Sequence, residues 1–93
     1  MMVEVYSDSK CVFKGIVEYL INDHASMSIE AIIDGEFDMG DFLELQNRPV
    51  VIKVDNYVVT GLLFGTAFCS EYPYAKIWFN VAKVAEERLE GKE

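Results

Sequence analysis

The segment KCVFKGIVEYLIND, Lys10 to Asp23, decides the fold of this chain. Its polar residues Lys10, Lys14, Glu18 and Asn22 recur every fourth position. Between them lie Val12, Phe13, Ile16, Val17, Tyr19, Leu20 and Ile21. A four-residue polar stripe is helical periodicity, so the spacing predicts a helix over 10–23. Gly15 and the β-branched Val12, Ile16, Val17 and Ile21 oppose it, because they weaken helix propensity. Strand is therefore the competitor, and the two readings lead to different proteins.

Outward from this segment the neighbours are simpler. Residues 2–7 are short and β-prone and read as a strand, with Asp8 or Ser9 placed to cap a helix beginning at Lys10. In SMSIEAII, residues 26–33, Met27, Ile29, Ala31 and Ile33 share one face, the pattern of a half-buried strand. Asp34-Gly35 turns the chain. Residues 36–47 read either as a short helix through Phe42, Leu43 and Leu45 or as a loop. Arg48-Pro49 marks a break, since the residue before a proline is pushed towards extended geometry. PVVIKV and YVVTGLL then flank Asp55-Asn56, which predicts a hairpin. Residues 64–70 read as a connector with weak strand character. Tyr74, Ile77, Trp78, Val81, Val84, Ala85 and Leu89 recur at three and four, with Pro73 in the first turn and Gly91 past the end. That pattern predicts a helix over 72–90.

Composition bounds the function. Ninety-three residues, 52% of them hydrophobic, make one domain spanning 1–93 and argue against disorder. The net charge of −8 argues against a nucleic-acid binder that neutralises phosphates. No apolar run reaches a membrane span, no secretion signal is legible, and two cysteines 58 residues apart form no metal spacing. A cytoplasmic home with no membrane partner is the resulting expectation. The acidic group Asp34, Glu36, Asp38 and Asp41 lacks the ordered spacing of a calcium loop. His24 has no ligand partner nearby in sequence, so no metal is expected.

With a helix at 10–23 the order becomes β-α-β-(α)-β-β-α with a long C-terminal helix. Cys11 then sits at a helix N-terminus, where unpaired N–H groups and the flanking Lys10 and Lys14 favour its thiolate. The stretch Tyr6-Ser7-Asp8-Ser9-Lys10-Cys11 resembles the glutaredoxin active-site segment. Arg48-Pro49-Val50-Val51 is similar to that family's proline before its hairpin, and Thr60-Gly61 to the glycine after it. The resemblance implies a two-layer α/β thioredoxin-like domain. It also implies monothiol thiol–disulfide chemistry at Cys11, with Lys14 beside it and Tyr6, Arg48, Pro49 and Gly61 contacting a thiol substrate. Lys14 stands where the family has its second cysteine, which excludes a dithiol pair. Asp8 and Leu62 depart from the family's glutathione contacts, so no cofactor is expected, with glutathione the alternative that the resemblance leaves open. Parallel strands would bring the loop carrying Cys69 to the same end of the sheet as Cys11, making Cys69 a candidate resolving thiol.

Two other readings compete. One is a non-catalytic protein–protein interaction module, with Phe64, Phe68, Tyr72 and Tyr74 as its surface. The other changes the fold. Phe13-Lys14-Gly15-Ile16-Val17 and Val59-Thr60-Gly61-Leu62-Leu63 look alike. As a duplication they would give a small all-β barrel with a C-terminal helix, suited to assembly with copies of itself.

Overall fold

A computed structural model describes residues 1–71 and 74–89. It contains β1 (Met2–Ser7), β2 (Lys10–Asn22), β3 (Ser26–Ile33), a short helix α1 (Met39–Leu43), β4 (Pro49–Val54), β5 (Tyr57–Glu71) and β6 (Tyr74–Arg88). The six strands close into an antiparallel barrel in the order β1-β2-β3-β6-β5-β4, with β4 paired back onto β1. Two of the expected helices, 10–23 and 72–90, are therefore strands where described. The α/β thioredoxin-like fold and the glutaredoxin resemblance do not hold. The barrel alternative holds in its walls, though not in its C-terminal helix. Pro73 and Gly91, expected at the ends of that helix, lie outside the described residues.

The periodicity of β2 has a physical explanation. In a strand, every second residue faces outward. On β2 the outward residues alternate in chemistry: Lys14, then Ile16, then Glu18 are all exposed. Polar side chains on every other outward position produce a period of four without a helix. A bulge at Glu18, between Val17 and Tyr19, then shifts the alternation and hides it further. On β6 the inward set is Ile77, Phe79 and Val81, each at most 1% exposed. Phe79 does not fit the helical stripe at all, and it is one of the largest residues of the core.

The two look-alike segments are the middle strands of two similar halves. Gly15 of β2 pairs with Val3 of β1, and Gly61 of β5 pairs with Val50 of β4. Two residues before each glycine, Phe13 opposes Val5 and Val59 opposes Ile52. Both glycines sit where a neighbouring strand comes close. A Cβ on Gly15 would lie 2.8 Å from the Ile32 carbonyl oxygen, and one on Gly61 would collide with that of Ala82. Each middle strand is also bulged just beyond, at Glu18 in β2 and at Gly65 in β5. Even single backbone bonds correspond: the Val17 N–H donates to Met1 O, and the Leu63 N–H donates to Arg48 O.

The joint between the halves is the lid. Residues 34–48 cross one open end of the barrel and carry α1. Asp38 caps it, accepting the Asp41 N–H at 3.1 Å. Phe42, fully buried, drops from α1 into the barrel mouth. There it meets Phe13 and Phe79 edge-on, with ring centroids 5.7 and 5.5 Å away. Among the described residues no polar or charged side chain is buried. Burial of Val, Ile and Phe thus carries the fold, at about 25 cal/mol per Å² of apolar surface.

Candidate functional site

The residues expected to act together are dispersed. Cys11 lies in β2, opposite Tyr6 of β1, and not at a helix terminus. Its thiol is exposed and faces the Phe13 carbonyl oxygen at 3.5 Å. The helix-terminal argument for its thiolate disappears with the helix. Lys14 remains near it, and both line an open cleft of about 390 Å³ with Asp34, Gly35 and Glu36. Cys69 is on the upper part of β5, opposite Lys76, and lines a different cleft. Both cysteines are free thiols.

The other expected contacts have structural duties. Pro49 opens β4 and pairs with Leu62. Arg48 is exposed, and its carbonyl oxygen accepts the Leu63 N–H. Gly61 is buried in the wall for want of room. Tyr6 lies on the outer wall, donating to Glu4 Oε1 at 2.8 Å under the Lys53 ammonium. The bond to Glu4 chiefly pushes its phenol above its ordinary pKa, since an anionic neighbour disfavours phenolate.

At the lid end an open cleft of about 580 Å³ runs between the β1–β2 turn and α1. Asp8 and Lys10 line it from the turn, and Asp41, Glu44 and Arg48 from the lid. Among the described residues no group of His, Cys, Asp or Glu is placed to hold a metal ion. No helix among them is long and apolar enough to cross a membrane.

The other conspicuous surface is the wall formed by β2, β3, β6 and β5. The register lays its outward residues in rows. One row runs Ile16, Ile32, Lys76, Cys69, and the next runs Tyr19, Glu30, Trp78, Ala67. Phe64, opposite Asn80, comes after them. Tyr19 is 56% exposed, Ile16 46%, Phe64 40% and Trp78 38%. An ion pair between Lys76 and Glu18, at 2.9 Å, crosses these rows. A cleft of about 290 Å³ opens beside Trp78, lined by Glu30, Ala67, Phe68, Cys69, Lys76 and Ile77.

This wall continues into a projection. The ladder between β4 and β5 ends at Pro49–Leu62, and that between β3 and β6 ends at Ile32–Lys76. Beyond those points Leu63 of β5 is bridged once to Gln46 of the lid, and β5 and β6 otherwise pair only with each other, up to Glu71 and Tyr74. The lid braces the inner side of this hairpin. Phe37 stacks on Phe68 with centroids 6.1 Å apart, and the Gln46 side chain donates to Thr66 Oγ1. Sequence reasoning singled out Phe64, Phe68 and Tyr74, and the structure places them on or beside this hairpin; Tyr72 lies outside the described residues. It missed Tyr19, Ile16 and Trp78, which a helical reading had assigned to a core. The β-branched and aromatic richness of both segments was the available signal. The fold and this surface define a small closed β-barrel with one outer wall on which Ile16, Tyr19, Trp78 and Phe64 stand among Glu18, Glu30 and Lys76. No protein-family model, curated protein or solved structure matches the chain.

Proposed function

We propose that this barrel is a non-catalytic protein-interaction module whose contact surface is the outer wall around Trp78 together with the β5–β6 hairpin. One observation carries the reading: large apolar side chains from β2, β5 and β6 stand exposed in adjacent rows of one wall. Single exposed hydrophobics are ordinary, whereas several large ones gathered on one wall, here around Glu30 and the Lys76–Glu18 pair, favour a contact surface. Tyr and Trp suit such a role, because they offer large contact area with few torsions to immobilise. The partner chemistry that fits is a protein surface with an apolar centre.

The test is a photo-crosslinking residue placed at position 78, compared with the same residue at position 53 on the β4 wall. Adducts formed through position 78 and absent at position 53 support the reading. If position 78 yields no protein adduct, to itself or to any other chain, the reading fails.

A further inference from the structure

Above Leu63, where Gln46 of the lid makes the last bridge, the lid touches β5 only through side chains, at Thr66 and Phe68, and leaves the strand's outer backbone unpaired. Leu63 is the last β5 residue whose outward backbone groups are taken: its N–H donates to Arg48 O at 3.3 Å, and its carbonyl accepts from Asn47 N. Backbone groups alternate between the two sides of a strand. Past the Gly65 bulge, Thr66, Phe68 and Ser70 therefore aim their N–H and C=O groups away from β6. Among the described residues no strand pairs there. Proteins usually guard such edges with lysine, proline or inward charges. Here Val58 to Ser70, VVTGLLFGTAFCS, contains no charged residue and no proline.

We infer that this edge pairs with the same edge of a second copy of the chain, antiparallel, about a two-fold axis at Phe68. The inference rests on the interaction-module reading and names its partner. Two observations favour a copy over a foreign strand, and the geometry permits it. An antiparallel pairing about Phe68 sets Phe68 against Phe68 and Thr66 against Ser70, as an isologous contact requires. The whole chain carries a net charge of −8, and this edge is a long stretch on which two copies meet without opposing like charges. The outward Ala67 and Cys69 would also join the outer wall of one copy to that of the other. The corresponding bulged edge on β2 is flanked by Glu18, Asn22 and Asp23, and is the guarded one of the pair.

The axis fixes a register that chemistry can read. Ala67 of one copy faces Cys69 of the other in a non-hydrogen-bonded pair, with Cα atoms about 4.5 Å apart. That separation is within disulfide reach. The experiment is sedimentation equilibrium on the full chain and on S70P and A67K. It is joined by diamide oxidation of A67C in a C11S background, with peptide mass mapping. Ser70 does not donate to β6, so proline there removes an edge donor and spares the barrel ladder. The expected result is a concentration-dependent dimer for the native chain. S70P and A67K should be monomers with native far-UV spectra, and A67C should form a disulfide between position 67 of one copy and Cys69 of the other. A native chain that stays monomeric, an S70P chain that still dimerises, species larger than a dimer, or a 67–67 bond would each overturn the pairing. Adducts at position 78 to other proteins from a monomeric native chain would overturn it while leaving the interaction-module reading standing.

Discussion

Gly61 is where one atom has the clearest consequence. A methyl group there meets the Ala82 carbonyl and Val81 Cγ1, atoms of the adjoining strand that have nowhere to go. Gly61→Ala should cost about 1–3 kcal/mol in urea unfolding, as overpacking of a tight interior does. The same holds for its counterpart Gly15. The pairing of these glycines was legible in the sequence as two similar pentapeptides, but their use as close-approach points was not. Cys11 shows the reverse. Its neighbours Lys10 and Lys14 were legible, whereas the helix terminus expected at Cys11 does not form. Both thiols are exposed, so a maleimide should label both in the folded chain. They line different clefts, so oxidation of a monomer should produce no Cys11–Cys69 bond. Tyr6 makes a pH prediction. Glu4 raises its phenol pKa, so the folded chain favours the neutral phenol. This contribution to stability is complete below the ordinary tyrosine value near 10 and is lost as pH rises through the raised folded value. Ultraviolet titration of the phenolates should show a late component that Glu4→Gln moves earlier and Tyr6→Phe removes.

Among the elements, those with one polar and one apolar face were legible. β3 alternates without interruption, and the β4–β5 hairpin announces its turn with Asp55-Asn56. β2 and β6 were not, because an outer wall that mixes Ile16, Tyr19 and Trp78 with Lys14, Glu18 and Lys76 breaks the rule that outward residues are polar. Once Ile16, Tyr19 and Trp78 face outward, two-residue alternation dissolves and helical spacings emerge by chance. Far-UV circular dichroism should accordingly show a strand-type spectrum rather than the roughly one-third helix of an average domain. The lid is the element that joins sequence to packing most directly. Phe42→Ala removes the ring that closes the barrel mouth and should destabilise by about 3–5 kcal/mol in denaturant titration. Asp38→Ala removes only the cap of α1. Its expected cost is about 0.5–2 kcal/mol, read as faster amide exchange at Asp41 and Phe42 while the strands keep their protection.

For the whole molecule, charge and assembly oppose each other. The chain carries sixteen acidic and eight basic residues, so two copies approach with like net charge. The proposed contact contains none of that charge, and its attraction comes from backbone hydrogen bonds and apolar area, which salt does not screen. Salt screens only the repulsion, whose range falls from about 10 Å at 0.1 M to about 3 Å at 1 M ionic strength. Dimerisation through the β5 edge should therefore strengthen as sodium chloride is raised from about 0.05 to about 0.5 M. Association held by ion pairs, for instance through the Lys10 and Arg48 rim of the lid cleft, should weaken over the same range. Sedimentation equilibrium across a salt series reads the sign directly. A dissociation constant that falls with salt in the native chain, beside an S70P chain that stays monomeric throughout, assigns the attraction to the uncharged edge. A constant that rises with salt assigns it to the charged lid end instead.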